Sequence, residues 1–303
     1  MLPKMRSIWL GAALIVALSG CGLTSTPQAS SGKVEVVAAE NFWGSIAAQV
    51  GGNRVQVTSI ITNPATDPHD YEPNAQDART IAGAQMVIVN GVGYDPWAPK
   101  LVAGNPVGGR VVLTVGNLVG VKPGGNPHRW YSPANVRQVA NAIVTDYTKL
   151  DPKDAAYFRA QRTTFETKGL AEYNTLIATI RRKYHGVALG ASESIFAPLA
   201  QALGLRLITP YAFLKAISEG TDPTAADKTT IDRQIAKKEI KVWVFNSQNS
   251  TPDVARLTEA ARKRRIPVAT ITETMTPPTA SFEQWQVRQL KALAAALARG
   301  SGT

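Results

Sequence analysis

The sequence is short of cysteine, of histidine and of long apolar runs, and each shortage narrows what the chain can be. A single cysteine, Cys21, in 303 residues excludes any internal disulfide. Crossing a bilayer takes about 20 apolar residues in a row. The run at 8–18 has only eleven, and no other approaches that length. There is no His-Glu-x-x-His pair, no Gly-x-Ser-x-Gly turn and no glycine loop of the phosphate-cradling type, so the common signatures of zinc peptidases, serine hydrolases and nucleotide enzymes are missing. Histidine occurs only at 69, 128 and 185.

The amino-terminal end carries a targeting pattern. Lys4 and Arg6 precede the apolar run, which closes on Leu18-Ser19-Gly20-Cys21. A positive start, a short apolar core and small residues at the end describe a secretory signal. The last four residues resemble the lipobox of bacterial lipoproteins, in which the cysteine is acylated. The expectation is a signal peptide over 1–20, lipidation of Cys21 and a flexible Ser/Thr/Pro/Gly tether over 21–33, with the body outside the cytoplasm and anchored to the cell membrane. The formal net charge is +11, of which Lys4 and Arg6 leave with the signal. On a secreted chain this surplus points to anionic lipid head groups rather than nucleic acid. Arg262-Lys263-Arg264-Arg265 reads as a solvated helix end.

The remaining residues, about 270, are enough for two α/β lobes. Strand-like runs at 34–39, 55–60, 86–89 and 110–115 alternate with helical patterns at 42–50, 75–84 and 97–102. From 133 to 182 the pattern is helical, with Pro152 restarting a helix that could run about 45 Å to residue 182, weakened at Gly169. Alternation resumes with strands at 187–191, 206–209, 242–245 and 268–272 and helices at 195–203, 225–238, 252–264 and 282–299. The expected fold is α/β: two lobes with mainly parallel sheets, 34–150 and 183–303, joined by a backbone helix over 151–182.

Two of the three histidines stand in look-alike loops. One is Asp67-Pro68-His69-Asp70-Tyr71-Glu72-Pro73, after the second strand. The other is Asn126-Pro127-His128-Arg129-Trp130-Tyr131-Ser132-Pro133, after the fourth. The carboxyl edge of an open α/β sheet is where ligands bind, and the preceding proline stiffens each loop. Glu193 and Glu273 follow strands of the second half at the same edge. Either alone could be a carboxylate favoured by a helix start; with the histidines they form a candidate set of two imidazoles and two carboxylates. His185 precedes a strand and reads as a turn or surface residue.

These segments, with Leu150-Asp151-Pro152-Lys153-Asp154-Ala155-Ala156-Tyr157-Phe158 and the stretch 191–205, resemble the zinc/manganese substrate-binding lipoproteins of bacterial ABC transporters. The resemblance covers nearly all of the chain beyond the signal. It implies two lobes bridged by a long helix, one metal between them, and ligands at His69, His128, Glu193 and Glu273, the last standing where the family usually has aspartate. It also implies delivery to an ABC permease in the membrane; the chain is expected to act as a monomer, without nucleic acid and without enzymatic activity. Two carboxylates able to bind through both oxygens suit five or six contacts, which slightly favours Mn2+ over Zn2+ as the transported ion. The alternatives are a surface adhesin or structural lipoprotein with a fold-stabilising metal, and a secreted metal-dependent hydrolase.

Overall fold

The alternating halves fold into two four-stranded parallel sheets of identical strand order. The computed structural model describes residues 32–302, so the expected signal at 1–20 and the lipidation site Cys21 lie outside the described residues. The first half runs β1 (Val34–Glu40), α1 (Asn41–Gly51), β2 (Val55–Ile61), α2 (Ala75–Ala82), β3 (Met86–Val89), α3 (Trp97–Gly104), β4 (Val111–Thr114) and α4 (Val115–Leu118). Its strands lie in the order β2-β1-β3-β4. All pair in parallel, with Val36 opposite both Val57 and Met86. The inner strand β3, Met-Val-Ile-Val, is buried at every position, as expected of a strand covered on both faces.

Helices α5 (Pro133–Leu150), α6 (Ala155–Thr164) and α7 (Ala171–Tyr184) follow, then β5 (Ala188–Ala191), α8 (Ala197–Leu203), β6 (Arg206–Leu207), α9 (Tyr211–Ser218), α10 (Ala225–Ala236), β7 (Trp243–Asn246), α11 (Pro252–Lys263), β8 (Val268–Ile271) and α12 (Phe282–Ser301). The second sheet has the order β6-β5-β7-β8, again all parallel. In both sheets the order reverses between the first and third strands, which opens a crevice beyond their carboxyl ends.

Helix α1 can lie close on β2 because Gly44 faces Ser59; a Cβ there would come within 2.1 Å of the Ser59 hydroxyl. Helix α12 ties the end of the chain back to the first lobe, since Phe282 N–H donates to Ser45 Oγ at 2.9 Å and Gln49 Nε2 to Glu283 Oε2 at 2.9 Å. One continuous apolar core therefore runs from β1 and α1 through α5 and α7 to α12. Among the described residues no helix is long and apolar enough to cross a membrane.

The expected backbone helix is helical along its length but is not one α-helix. A single 3-10 turn (Pro152–Asp154) leads into α6, and a five-residue π segment (Phe165–Gly169) separates α6 from α7. There Leu170 N–H bonds Phe165 O at 2.8 Å, five residues back. Phe158, Phe165, Leu170 and Tyr173 are all buried, yet residues 165 and 170 would face about 140° apart on a regular α-helix. The wider π turn absorbs that offset and keeps one apolar stripe against the core. Two short helices, α4 and α9, had no clear signal in the sequence, and β6 is two residues where four were expected.

Candidate metal site

The two Pro-His loops are built alike, through the residue before the proline. Asp67 Oδ1 accepts from His69 N–H at 2.9 Å, and Asn126 Oδ1 accepts from His128 N–H at 3.0 Å. Each is a turn closed by a side-chain oxygen two residues back, so the spacing Asx-Pro-His fixes the backbone of the histidine itself. Asn126 does more. Its Nδ2 donates to Ser194 O across the crevice at 2.7 Å, so its oxygen is the atom facing His128 Nδ1 at 2.9 Å. Nδ1 therefore carries the proton, and the lone pair of Nε2 is free. Burial is the main cause that lowers the His128 pKa to about 4, so the ring is neutral at physiological pH.

The structure brings all four expected residues to one crevice. His128, Glu193 and Glu273 are buried and His69 is half-buried. The ring centroids of His69 and His128 are 6.3 Å apart, and His128 Nε2 lies 3.5 Å from Glu273 Oε1. Two atoms each bonded at about 2.1 Å to one tetrahedral ion are about 3.4 Å apart, so this second spacing already fits. The Nε2 atoms of both histidines are buried without a hydrogen-bond partner. Orphaned buried polar atoms are costly, and a cation bound at both nitrogens would resolve the cost. The set is somewhat open: among the described residues no three His, Cys, Asp or Glu side chains are drawn together tightly enough to hold an ion as they stand. Bonding both imidazoles at about 2 Å would draw the rings about 1 Å closer.

The carboxylates, in contrast, are heavily bonded. Asn246, the last residue of β7, donates from Nδ2 to Glu193 Oε1 and, at 3.2 Å, to Glu273 Oε1. Glu193 Oε2 also accepts from Asn249 Nδ2 at 3.1 Å and Ser218 Oγ at 3.4 Å. Glu273 Oε2 accepts from Tyr94 Oη at 3.0 Å. Glu193 does not cap the 3-10 turn Ser194–Phe196 that follows it; its side chain belongs to the crevice. Desolvation chiefly, and for Glu193 the neighbouring Glu273 carboxylate next, raise the pKa of Glu193 to about 8; burial raises that of Glu273 to about 7. A divalent cation would remove this penalty.

Tyr94 rides on a strained loop. Val92 has φ 58° between Gly91 and Gly93, an outlier for a β-branched residue. Asp95 holds the turn by accepting from Asn90 and Gly91 N–H, each at 2.7 Å. Glu40, fully buried beside Asp95, has no donor facing either oxygen, and burial first, then Asp95, drives its pKa well up. A cleft of about 520 Å³ leads in from solvent past His69, Asn126, Ser194 and Tyr211.

Residues 36–296 match the family described as zinc-uptake complex component A, periplasmic. The chain belongs to this family. It is 25% identical over 219 residues to the manganese-binding lipoprotein MntA of Halalkalibacterium halodurans, covering 69% of this chain and 71% of that one. It is 21% identical over 266 residues to the high-affinity zinc uptake system protein ZnuA of Bacillus subtilis, covering 81% and 82%. The Mn-bound periplasmic metal binding protein from Candidatus Liberibacter asiaticus shares the fold, with a TM-score of 0.73 at 18% identity over 88% of this chain and all of that one. As a member of the zinc-uptake component A family the chain is a metal-binding, substrate-binding protein of ABC transport, not an enzyme.

His185 is exposed at the end of α7 against Gly204, away from the crevice, as its position before a strand suggests. The supporting residues are what sequence reasoning missed: Asn126, Asn246, Asn249, Ser218 and Tyr94. Only Asn126 left a trace, as the Asx that both Pro-His loops share.

Proposed function

We propose that this chain captures one divalent transition-metal ion in the crevice, through His69, His128, Glu193 and Glu273, and delivers it to an ABC permease. The observation that carries the reading is the pair of partnerless Nε2 atoms, one of them 3.5 Å from a carboxylate oxygen. Two neutral imidazoles and two carboxylates balance a doubly charged ion in a site that excludes most water. Lipidation at Cys21 would hold the receptor, a monomer, on the outer side of the membrane beside the permease.

Manganese is the favoured cargo. Carboxylates can bind through one oxygen or both, so two glutamates with two imidazoles allow the five or six contacts that suit a harder ion. Relatives named for manganese and for zinc both match this chain, so the ligand set rather than kinship carries the preference. Raw affinity still follows the usual series, with zinc above manganese. Metal analysis of natively purified protein, with equilibrium dialysis of Mn2+ and Zn2+ against the wild type, His69→Ala and His128→Ala, tests the reading. One exchangeable ion per chain, lost in both variants, is expected. A metal that leaves only on unfolding would make the site structural, and undiminished binding in both variants would remove the ligand assignment.

A further inference from the structure

A second cavity, of about 660 Å³, lies between α5, α7 and α8, outside the metal crevice. Arg129, Arg137 and Arg181 line it together with the neutral polar side chains of Ser132, Asn135, Asn174 and Gln201, and no carboxylate lines it. Elsewhere the arginines commonly find acids, as Arg256 does with Asp232 at 2.6 Å. None of these three has a carboxylate within 4.0 Å among the described residues.

Arg129 is the informative member. Its guanidinium is half-buried, yet it bonds only a neutral amide oxygen, Asn135 Oδ1, from Nε at 2.9 Å and Nη2 at 2.5 Å. Asn135 is turned outward from its amide nitrogen to Gln138 Oε1 at 2.6 Å, so it is itself held in place. Arg137 reaches across to Asn174 Oδ1 at 2.7 Å, which fixes α5 to α7 and points a second guanidinium along the same wall. A desolvated cation without a counter-charge is unfavourable. The start of α5 behind Ser132 adds the positive end of an 18-residue helix. Guanidinium forks match the oxygens of phosphate in pairs, and the volume suits a small ligand or a head group.

We infer that this arginine-lined cavity is a binding site for a phosphate-type oxyanion, separate from the metal crevice. The phosphate can come from a soluble ester or from the head group of a membrane lipid, and the two sources are separable by experiment. The full chain is titrated with glycerol 3-phosphate by calorimetry at low salt, and its co-sedimentation is measured with vesicles of phosphatidylglycerol and of phosphatidylcholine. The Arg137→Ala/Arg181→Ala variant is compared with Arg262→Ala/Arg264→Ala, which removes the same charge from the exposed end of α11. The pocket variant is expected to bind at least tenfold more weakly while the control stays within twofold of wild type. Loss with glycerol 3-phosphate alone assigns a soluble ester; loss with phosphatidylglycerol vesicles as well assigns the lipid. Equal loss in both variants reduces the effect to net charge and overturns the site, as does failure of both probes to bind. Manganese affinity is measured in the same variants and is expected to be unchanged, so the outcome does not depend on the metal reading.

Discussion

The two lobes repeat one strand order but furnish the crevice in opposite ways. The first lobe presents nitrogen: His69 and His128 stand on proline-stiffened turns, and their Nε2 atoms are left with nothing to bond. The second presents oxygen: Glu193 and Glu273 are wrapped by Asn246, Asn249 and Ser218, with Tyr94 reaching over from the first lobe. The difference follows from charge. A neutral imidazole can wait in a buried site at modest cost, whereas a bare buried carboxylate needs donors or a proton until a cation arrives. The first half is poised; the second is propped.

Glu193→Gln should break the comparison most severely. It removes the charge of a proposed ligand, so Mn2+ affinity in a competition titration should fall by more than the tenfold to hundredfold, roughly, that supporting residues cost. The same change should raise the melting temperature of the metal-free protein at pH 8 by several degrees. The folded-state pKa of Glu193 is raised to about 8, so its protonated form is the stable one. Folding stability is therefore highest below the ordinary carboxylate value and is lost as pH climbs toward 8, by an amount on the order of a few kcal/mol. Glutamine never incurs that loss.

For the unaltered protein, manganese affinity should drop by roughly several hundredfold from pH 8 to pH 6, because the ion must displace protons from Glu193 and Glu273. Histidine protonation at an ordinary pKa near 6.5 would predict the same sign. His128, held near 4 by burial, competes with the ion only near that pH, although its cost to folding sets in earlier, as pH falls below the ordinary histidine value and the unfolded chain takes up the proton. Calorimetry across pH 5–8 separates the two: a fall already under way between pH 8 and 6.5 assigns it to the carboxylates, a fall that begins only below 6.5 assigns it to histidine, and a flat profile would contradict both halves of the site.

Asn126→Ala probes the nitrogen half alone. Without the oxygen that holds the proton on Nδ1, His128 can take the other tautomer and lose its free lone pair. Affinity should weaken by about tenfold to a hundredfold with little change in pH dependence. Tyr94→Phe, which takes one of the donors from Glu273 and leaves the ring stacked edge-on against His69 at 4.8 Å, should cost severalfold, about one neutral hydrogen bond. If Tyr94→Phe exceeded Asn126→Ala in the dialysis assay, the carboxylate half would be the more delicately balanced of the two.

Much of this was legible in the chain. Strand β3 falls where its four apolar residues place it; the Pro-His loops announce themselves by a rare residue type, and the two glutamates by their place just after a strand. The interruption at Phe165–Gly169 was visible only as a weak glycine, because a π turn answers to the core on one side of the helix rather than to local propensity. Helix α9, which carries Ser218, is eight residues long with no side-chain cap, too brief to impose a period. Asparagine, serine and tyrosine are common in loops, so Asn246 or Tyr94 cannot be told from any other polar residue until distant segments meet.

What the sequence by itself determined is the inventory: alternating strands and helices, two histidines locked by Asx-Pro turns, two acids at equivalent edges. Local sterics and side-chain-to-backbone bonds act within a few residues and need no tertiary partner. What only the tertiary structure decided is which atoms face one another: the tautomer of His128, the burial of Glu40 beside Asp95, the hold of Asn246 on two glutamates, and the gathering of Arg129, Arg137 and Arg181 without an acid. Those depend on burial and on distances between residues far apart in the chain, and electrostatic energies inside a protein are set by such distances and by the exclusion of water.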